Sequence, residues 1–382
     1  MSTRNFFKNI YDLYSSDLST SEFEKLFNKD LPHLYKFYTK DVEKPAHDSR
    51  HDLRSIIRFT KNVTFAFLKR LSGIRRLLFT LSILIFALGM LSNSKDIAVA
   101  AFVLLAILFF MEVADKLIAK NDLEVAKEVQ AGFIPEKSPE RSDFDIACHS
   151  ESAQEVGGDF IDFIENEDSL RIYIGDISGK GIAAALYMIH VNAILRHLSV
   201  KEKSLSQIAS GLNKDLIANF KKGVYLTLNM LEIKNPNPLS QSIPSNAFID
   251  GSDRQSNDSI ELIRAGHIPF LYFKNETKEL VEINPKGLGI GLFSNELFDK
   301  NLESASLQMR TNDILILYSD GLTETMNSQK NEYGIKKLRQ TILQYYGYDA
   351  AFLKNELLKD ITSYRNDEPI HDDISLIILK KK

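Results

Sequence analysis

The chain has 382 residues, 44% of them hydrophobic and 26% charged, with a formal net charge of -4. That length accommodates two or three domains, and the composition is that of an ordinary globular chain. The small net charge excludes the dominant basic surface of a nucleic-acid binder, and a lone cysteine, Cys148, excludes a disulfide within the chain and points to a reducing compartment.

Residues 1–76 mix charged and aromatic residues without an apolar core, which argues against a cleaved leader. They read as a helical N-terminal region of short amphipathic helices, with Asp17, Ser19 and Thr20 as caps before Phe23, Leu26 and Phe27. No chemical motif falls there. Leu77–Ser94 and Ile97–Met111 carry no charged residue, and only Lys95 and Asp96 separate them. Helices that are apolar all round fit a transmembrane hairpin over 77–115. A buried hairpin in a soluble domain is the alternative, because residues 97–111 span roughly 22 Å as a helix against a hydrocarbon core of ~30 Å. Lys61, Lys69, Arg70, Arg75 and Arg76 precede the hairpin, and Lys116 and Lys120 follow it. Basic residues on both flanks favour the inner (cytoplasmic) membrane, with both ends of the chain in the cytoplasm.

A linker segment, 116–135, follows. Lys116–Phe133 reads as one amphipathic helix with Ile118, Val125, Ala126, Val129 and Phe133 on a single stripe, and Pro135 ends it. A helix of this length is marginal alone in water. Its stripe therefore needs a partner, either the C-terminal domain or the same helix of a second copy, which would make a homodimer. Val129 and Phe133 lie nearest the domain. The helix is then either a transmission element or a passive spacer.

From 136 to the end the texture is that of short strands and helices. Strands are expected at Leu170–Ile174, Tyr225–Ile233, Ser259–Arg264, Phe270–Phe273, Asp313–Tyr318 and Ile374–Leu379, with a helix over Gly181–Leu198. Lys234–Asp258, rich in Asn, Pro, Ser and Asp, reads as a long loop.

Four aspartate segments each sit beside one of these elements or at a turn. They are Val156–Phe160 (VGGDF), Gly175–Gly181 (GDISGKG), Tyr318–Glu324 (YSDGLTE) and His371–Ser375 (HDDIS). Hard divalent cations take oxygen ligands of this kind, and glycines let the backbone approach closely. Two ions sharing a carboxylate can hold a hydroxide for in-line attack on phosphorus. An Asp-Gly turn alone is commonplace; the weight lies in four such segments in order.

The segments EVGGDF, GDISGKGIAAALYM, RAGHIPFLYF, LILYSDGLTE and HDDISLIIL together resemble, in order and spacing, the SpoIIE-like branch of the PPM metal-dependent serine/threonine protein phosphatases, over about residues 125–382. The resemblance implies an α+β fold of two stacked antiparallel β-sheets flanked by helices, with two Mn2+ or Mg2+ ions at one edge. It implies metal ligation by Asp159, Asp176, the Ile177 carbonyl, Asp320 and Asp372, with Asp176 shared between the ions and Asp159 and Asp176 counted as catalytic. Asp373 fills the second place of the terminal pair with a less defined role. Ser178 stands where animal members of the superfamily have a histidine thought to act as general acid. Arg264 stands where this branch often has Asn, and His267 is expected to be structural. The implied substrate is a phosphoprotein, in this branch of the small anti-sigma-factor-antagonist type.

Three rival readings are weaker. A GGDEF-type cyclase needs an acidic residue between Asp159 and Phe160, and an HD-type phosphohydrolase needs grouped histidines; the chain has neither. A catalytically silent, membrane-tethered binding module is countered by the complete set of aspartates.

Overall fold

The computed structural model describes residues 61–235 and 259–382, apart from 63, 70, 136 and 367. The caps expected at Asp17, Ser19 and Thr20 and the loop expected over 236–258 lie outside the described residues. The chain divides into two compact units, Met1–Ile118 and Ala119–Lys382.

In the first unit both charge-free runs are helical. The first lies in α1 (Gly73–Leu91) and the second in α2 (Lys95–Ala131). Their most apolar stretches have mean hydropathies of 1.9 and 2.7, and only 11% of each is buried, so either is long and apolar enough to cross a membrane. Arg75 of α1 bonds Glu112 at 3.2 Å and Asp115 at 2.6 Å on α2, joining the helices beyond the apolar run. The second apolar run and the expected linker helix prove to be one element of 37 residues. Nothing between Met111 and Lys116 breaks helical propensity, so the change from apolar to amphipathic character does not interrupt the backbone.

The stripe expected on the linker part is exposed: Ile118, Val125 and Val129 keep 50–61% of their surface. The buried residue at this end of the helix is polar Gln130, and Phe133 falls in the turn after α2.

The second unit is a four-layer sandwich, helices–sheet–sheet–helices. Its strands are β1 (Phe144–Glu151), β2 (Phe160–Glu165), β3 (Ser169–Ile177), β4 (Leu226–Lys234), β5 (Ser259–Ala265), β6 (Phe270–Lys274), β7 (Glu279–Ile283), β8 (Ser304–Gln308), β9 (Ile314–Tyr318) and β10 (Ile374–Lys381). One sheet runs β1-β10-β9-β6-β7 and the other β2-β3-β4-β5-β8, and every described pairing between these strands is antiparallel. The expected fold class is thus the observed one.

The central strands are apolar on both faces because both faces are covered. Leu170, Ile172 and Ile174 of β3 meet Leu315, Leu317, Ile377 and Leu379 of the opposite sheet. Tyr173 and Ile177, pointing the other way, pack under α3 (Ile182–Lys201) and α4 (Leu205–Asn219). Leu376 and Ile378 pack under α7 (Gly334–Tyr345) and α8 (Ala350–Arg365). Two short helices, α5 (Asn295–Lys300) and α6 (Asp320–Glu324), complete the unit. Helix α3 is also apolar enough to cross a membrane, but Met188, Val191 and Leu195 are spent on the core beneath it. Buried Arg171 of β3 pairs with Glu232 at 2.7 Å and donates to the carbonyls of Ser199 and Glu202, fastening the C-terminus of α3 to the sheet.

Candidate metal centre

Four chain segments meet at one end of the sandwich: the starts of β2 and β10 and the ends of β3 and β9. Asp159 immediately precedes β2, and Asp176 is the next-to-last residue of β3. The register Phe160↔Gly175 therefore sets the two aspartates side by side. From the other sheet, Asp320 begins α6 directly after β9, and Asp372 and Asp373 directly precede β10. Within that sheet Ser319 fastens the end of β9 to the start of β10: its N–H donates to the Ser375 carbonyl at 2.9 Å and its hydroxyl donates to the Asp373 carbonyl at 3.1 Å.

Close backbone approach shapes the site. A Cβ on Gly158 would stand 2.8 Å from the Ile177 carbonyl oxygen and 3.3 Å from Asp176 Oδ1, so only glycine admits both oxygens. The Ile177 carbonyl oxygen and one Asp176 carboxylate oxygen thus both face the Gly158 backbone.

Burial and mutual repulsion dominate the electrostatics. Asp159 is buried and its Oδ2 has no hydrogen-bond partner. Burial pushes its carboxyl well above the ordinary range, the charge of Asp176 adds to this, and the Ser319 hydroxyl pulls the other way. Burial, followed by the charges of Asp320, Asp372 and Asp373, pushes Asp176 up to about 7. Asp320 is raised by burial and by Asp372. The cation facing this group is Lys180, whose Nζ donates to Asp372 Oδ2 at 2.6 Å and to the His371 carbonyl at 3.0 Å.

Carboxylates gathered this closely oppose one another unless a cation offsets them. Among the described residues no three acidic, imidazole or thiol side chains close on one point as a ready ligand cluster. The side chains that meet here are carboxylates, the donor chemistry of Mg2+ or Mn2+, which retain several waters rather than demanding a protein cage. The orphaned Asp159 oxygen supplies the second point of fit.

Asp159, Asp176, Ile177, Asp320 and Asp372 all lie at this end. Asp373 does something else: it accepts from the N–H groups of Ala153 (2.8 Å), Gly158 (2.7 Å) and Asp159 (3.2 Å), holding the loop that carries Asp159. Ser178 is occupied, its hydroxyl accepting from the Tyr225 N–H at 2.9 Å. His267 is buried between Thr227 Oγ1 (2.8 Å) and the Tyr318 carbonyl (3.1 Å). The carbonyl can only accept, so Nε2 carries the proton and Nδ1 accepts from the threonine. Burial lowers the pKa of His267 to about 4. Arg264 donates to the carbonyls of Pro285 and His267 and so braces the turn after β5. Sequence reasoning passed over Lys180 and Gln130. The lysine stood in a quoted motif, between two glycines, where a long cation has room to swing.

The family model described as Stage II sporulation protein E (SpoIIE) matches residues 166–382, more than half of the chain. The chain belongs to the SpoIIE family. It is a PPM-type phosphatase, with Asp176, Asp320 and Asp372 inside the matched region and Asp159 just ahead of it. It is 25% identical over 266 residues to phosphoserine phosphatase RsbU of Bacillus subtilis (strain 168), a match covering 69% of this chain and 71% of that protein. It is 28% identical over 268 residues to protein IcfG of Synechocystis sp. (strain ATCC 27184 / PCC 6803 / Kazusa), covering 67% of this chain and 41% of IcfG. The structure of the SiaA-PP2C domain of Pseudomonas aeruginosa superposes with a TM-score of 0.55 at 15% identity, over 71% of this chain and 99% of that one, and shares the fold.

Proposed function

We propose that this SpoIIE-family member is a metal-dependent serine/threonine phosphatase acting on a phosphorylated partner protein, with residues 136–382 as the catalytic domain. The observation that carries this reading is the buried Asp159, one oxygen without a partner, set against Asp176 at the meeting of two sheets. Asp159, Asp176, the Ile177 carbonyl, Asp320 and Asp372 would hold two Mn2+ or Mg2+ ions. Such ions, when bound, supply Lewis-acid charge to the phosphoryl group and lower the pKa of the water that attacks it.

The chain's own residues do the rest. Asp176, with charged neighbours from both sheets, would hold cation charge at the middle of the centre. Asp373 keeps Asp159 in place through three N–H bonds. Lys180, exposed at the rim, is placed to meet the phosphate oxygens of the substrate. His267 is committed at both ring nitrogens and the Ser178 hydroxyl, which accepts from the Tyr225 N–H, is a far weaker acid than an imidazolium, so the leaving oxygen would take its proton from water. Phosphoserine is the favoured substrate because a relative matched over most of its length is named a phosphoserine phosphatase. A small anti-sigma-factor antagonist is the partner class the family resemblance favours. The hairpin over 77–115 anchors the chain in the inner membrane, with the catalytic domain in the cytoplasm. The exposed Ile118–Val129 stripe favours a homodimer through the linker helix.

The test is manganese-dependent release of phosphate from a phosphoserine protein by the full-length chain in detergent. Chelator and Asp176→Asn should each abolish turnover, because the substitution removes charge shared by both ions. Undiminished turnover in either case would overturn the metal assignment, and inactivity of the unaltered chain toward every phosphoprotein would favour the silent binding module.

A further inference from the structure

Gln130, one residue before the end of α2, is the one buried polar side chain among the described residues of that helix, with 3% of its surface exposed. Both ends of its amide are used on the same residue. Its Nε2 donates to the Gly157 carbonyl at 2.7 Å, and its Oε1 accepts from the Gly157 N–H at 3.1 Å. A primary amide here does for Gly157 what a neighbouring β-strand does for a residue in a sheet. The substitute is needed because 152–159 carries no strand pairing of its own.

The same loop has a second fastening at the next two residues. Asp373 accepts from the N–H groups of Gly158 and Asp159. Gly157 itself lies so close that a Cβ there would collide with the Asp373 carboxylate. Three consecutive residues, Gly157 to Asp159, are thus gripped from two sides, by an amide from α2 and a carboxylate from the start of β10. Asp159 at the end of this grip is the carboxylate with the orphaned oxygen.

We infer that Gln130 is a positioning residue for Asp159: by clamping the Gly157 peptide it sets where that carboxylate stands, and so how tightly the centre binds a divalent cation. The inference rests on the metal-centre reading above and adds to it a residue outside the aspartate motifs, reached from the helix that precedes the catalytic fold. Apolar residues elsewhere on this part of the helix, Val125 and Val129, are half exposed and set nothing comparable.

Mn2+ binding to the full-length protein in detergent can be read directly, without turnover, from the electron paramagnetic resonance of free Mn2+. Gln130→Met keeps the side-chain length and helix propensity while removing both hydrogen bonds, and Gln130→Ala removes the side chain as well. Loss of an outer-shell partner typically weakens metal binding on the order of 10–100-fold, and both variants should shift the Mn2+ midpoint upward by that factor. Thermal unfolding in chelator accompanies each measurement. A lowered melting temperature with an unshifted Mn2+ midpoint in Gln130→Met would mean that Gln130 merely holds the helix down, and the inference would be lost. If Gln130→Ala fails to fold, Gln130→Met decides alone. Asp176→Asn is the control for the reading beneath: if that variant binds Mn2+ like the unaltered chain, the metal centre itself is misplaced; if it loses binding while Gln130→Met does not, only the inference about Gln130 falls.

Discussion

Asp372 and Asp373 are neighbours in the chain, and their replacement by alanine should have opposite consequences. Asp373 accepts three backbone N–H bonds, from Ala153, Gly158 and Asp159, at 2.7–3.2 Å. Removing it leaves those donors without a partner at about 1–3 kcal/mol each. Discounting for water reaching the Ala153 end and for the repulsion of Asp159 and Asp176 that its removal relieves, the loss comes to about 3–5 kcal/mol, worth roughly 10 °C in the melting temperature of a domain of this size. Asp372 has a half-exposed side chain whose ion-pair partner, Lys180, is 55% exposed; such a pair contributes at most about 1 kcal/mol. Its removal also relieves repulsion felt by Asp176 and Asp320. In chelator, Asp372→Ala should therefore melt within a few degrees of the unaltered chain, or above it, while losing Mn2+ binding and turnover. Asp373→Ala should melt far lower. Thermal unfolding of the two full-length variants in detergent checks this, and equal melting temperatures, or a greater loss for Asp372→Ala, would refute the division of labour between them.

Two further outcomes follow from other parts of the molecule. Cells expressing the full chain should retain it in the membrane fraction until detergent is added, because α1 and α2 expose apolar side chains along lengths sufficient to span; recovery in the soluble fraction would return the hairpin to a buried role. His267 has its pKa lowered by burial to about 4 from an ordinary 6.5, so its contribution is full above pH 6.5 and is lost as pH falls toward 4. Between pH 7 and pH 5 the unaltered chain should lose about 2 kcal/mol of stability relative to His267→Gln, measurable as a fall of its urea midpoint relative to that of the variant; a difference independent of pH would mean the imidazole is not held neutral.

Elements whose residues announce them on both faces were legible in the sequence. The run ILILY is apolar throughout, and LRIYI is apolar apart from Arg171, because each is buried on both sides, and the expected strands there differ from the observed ones by a few residues at the ends. Strand β8, with sequence SASLQ, and strand β7, with sequence ELVEI, were not legible: each lies at a sheet edge, where one side meets water and the period-two pattern is diluted by polar residues. Strand β2 hid for another reason. Its Asp162 is fully buried, yet reads as polar punctuation in the sequence until Arg196 is seen to bond both its oxygens, at 2.8 and 2.9 Å. At the centre, the aspartates were legible because they share a residue type and a place beside strands. Gln130 was not, since a single glutamine among charged helix residues carries no mark of the loop it bonds, 27 residues further along the chain. The helical stripe misled in the same way: periodicity shows which side chains share a face, not whether that face is covered.

The aspartates of the proposed centre come from two separate sheets, Asp159 and Asp176 from one, Asp320 and Asp372 from the other. Each sheet holds only half a set of teeth, and the halves mesh only when the layers are in register. A slip of one layer over the other by the length of a single residue would carry two oxygens away from their counterparts while leaving every strand intact. The centre is therefore a vernier on the stacking of the sandwich. Substitutions in the shared interior, at uncharged Ile174 or Leu317 between the sheets, belong with the aspartates when variants of this enzyme are sorted by what they disable.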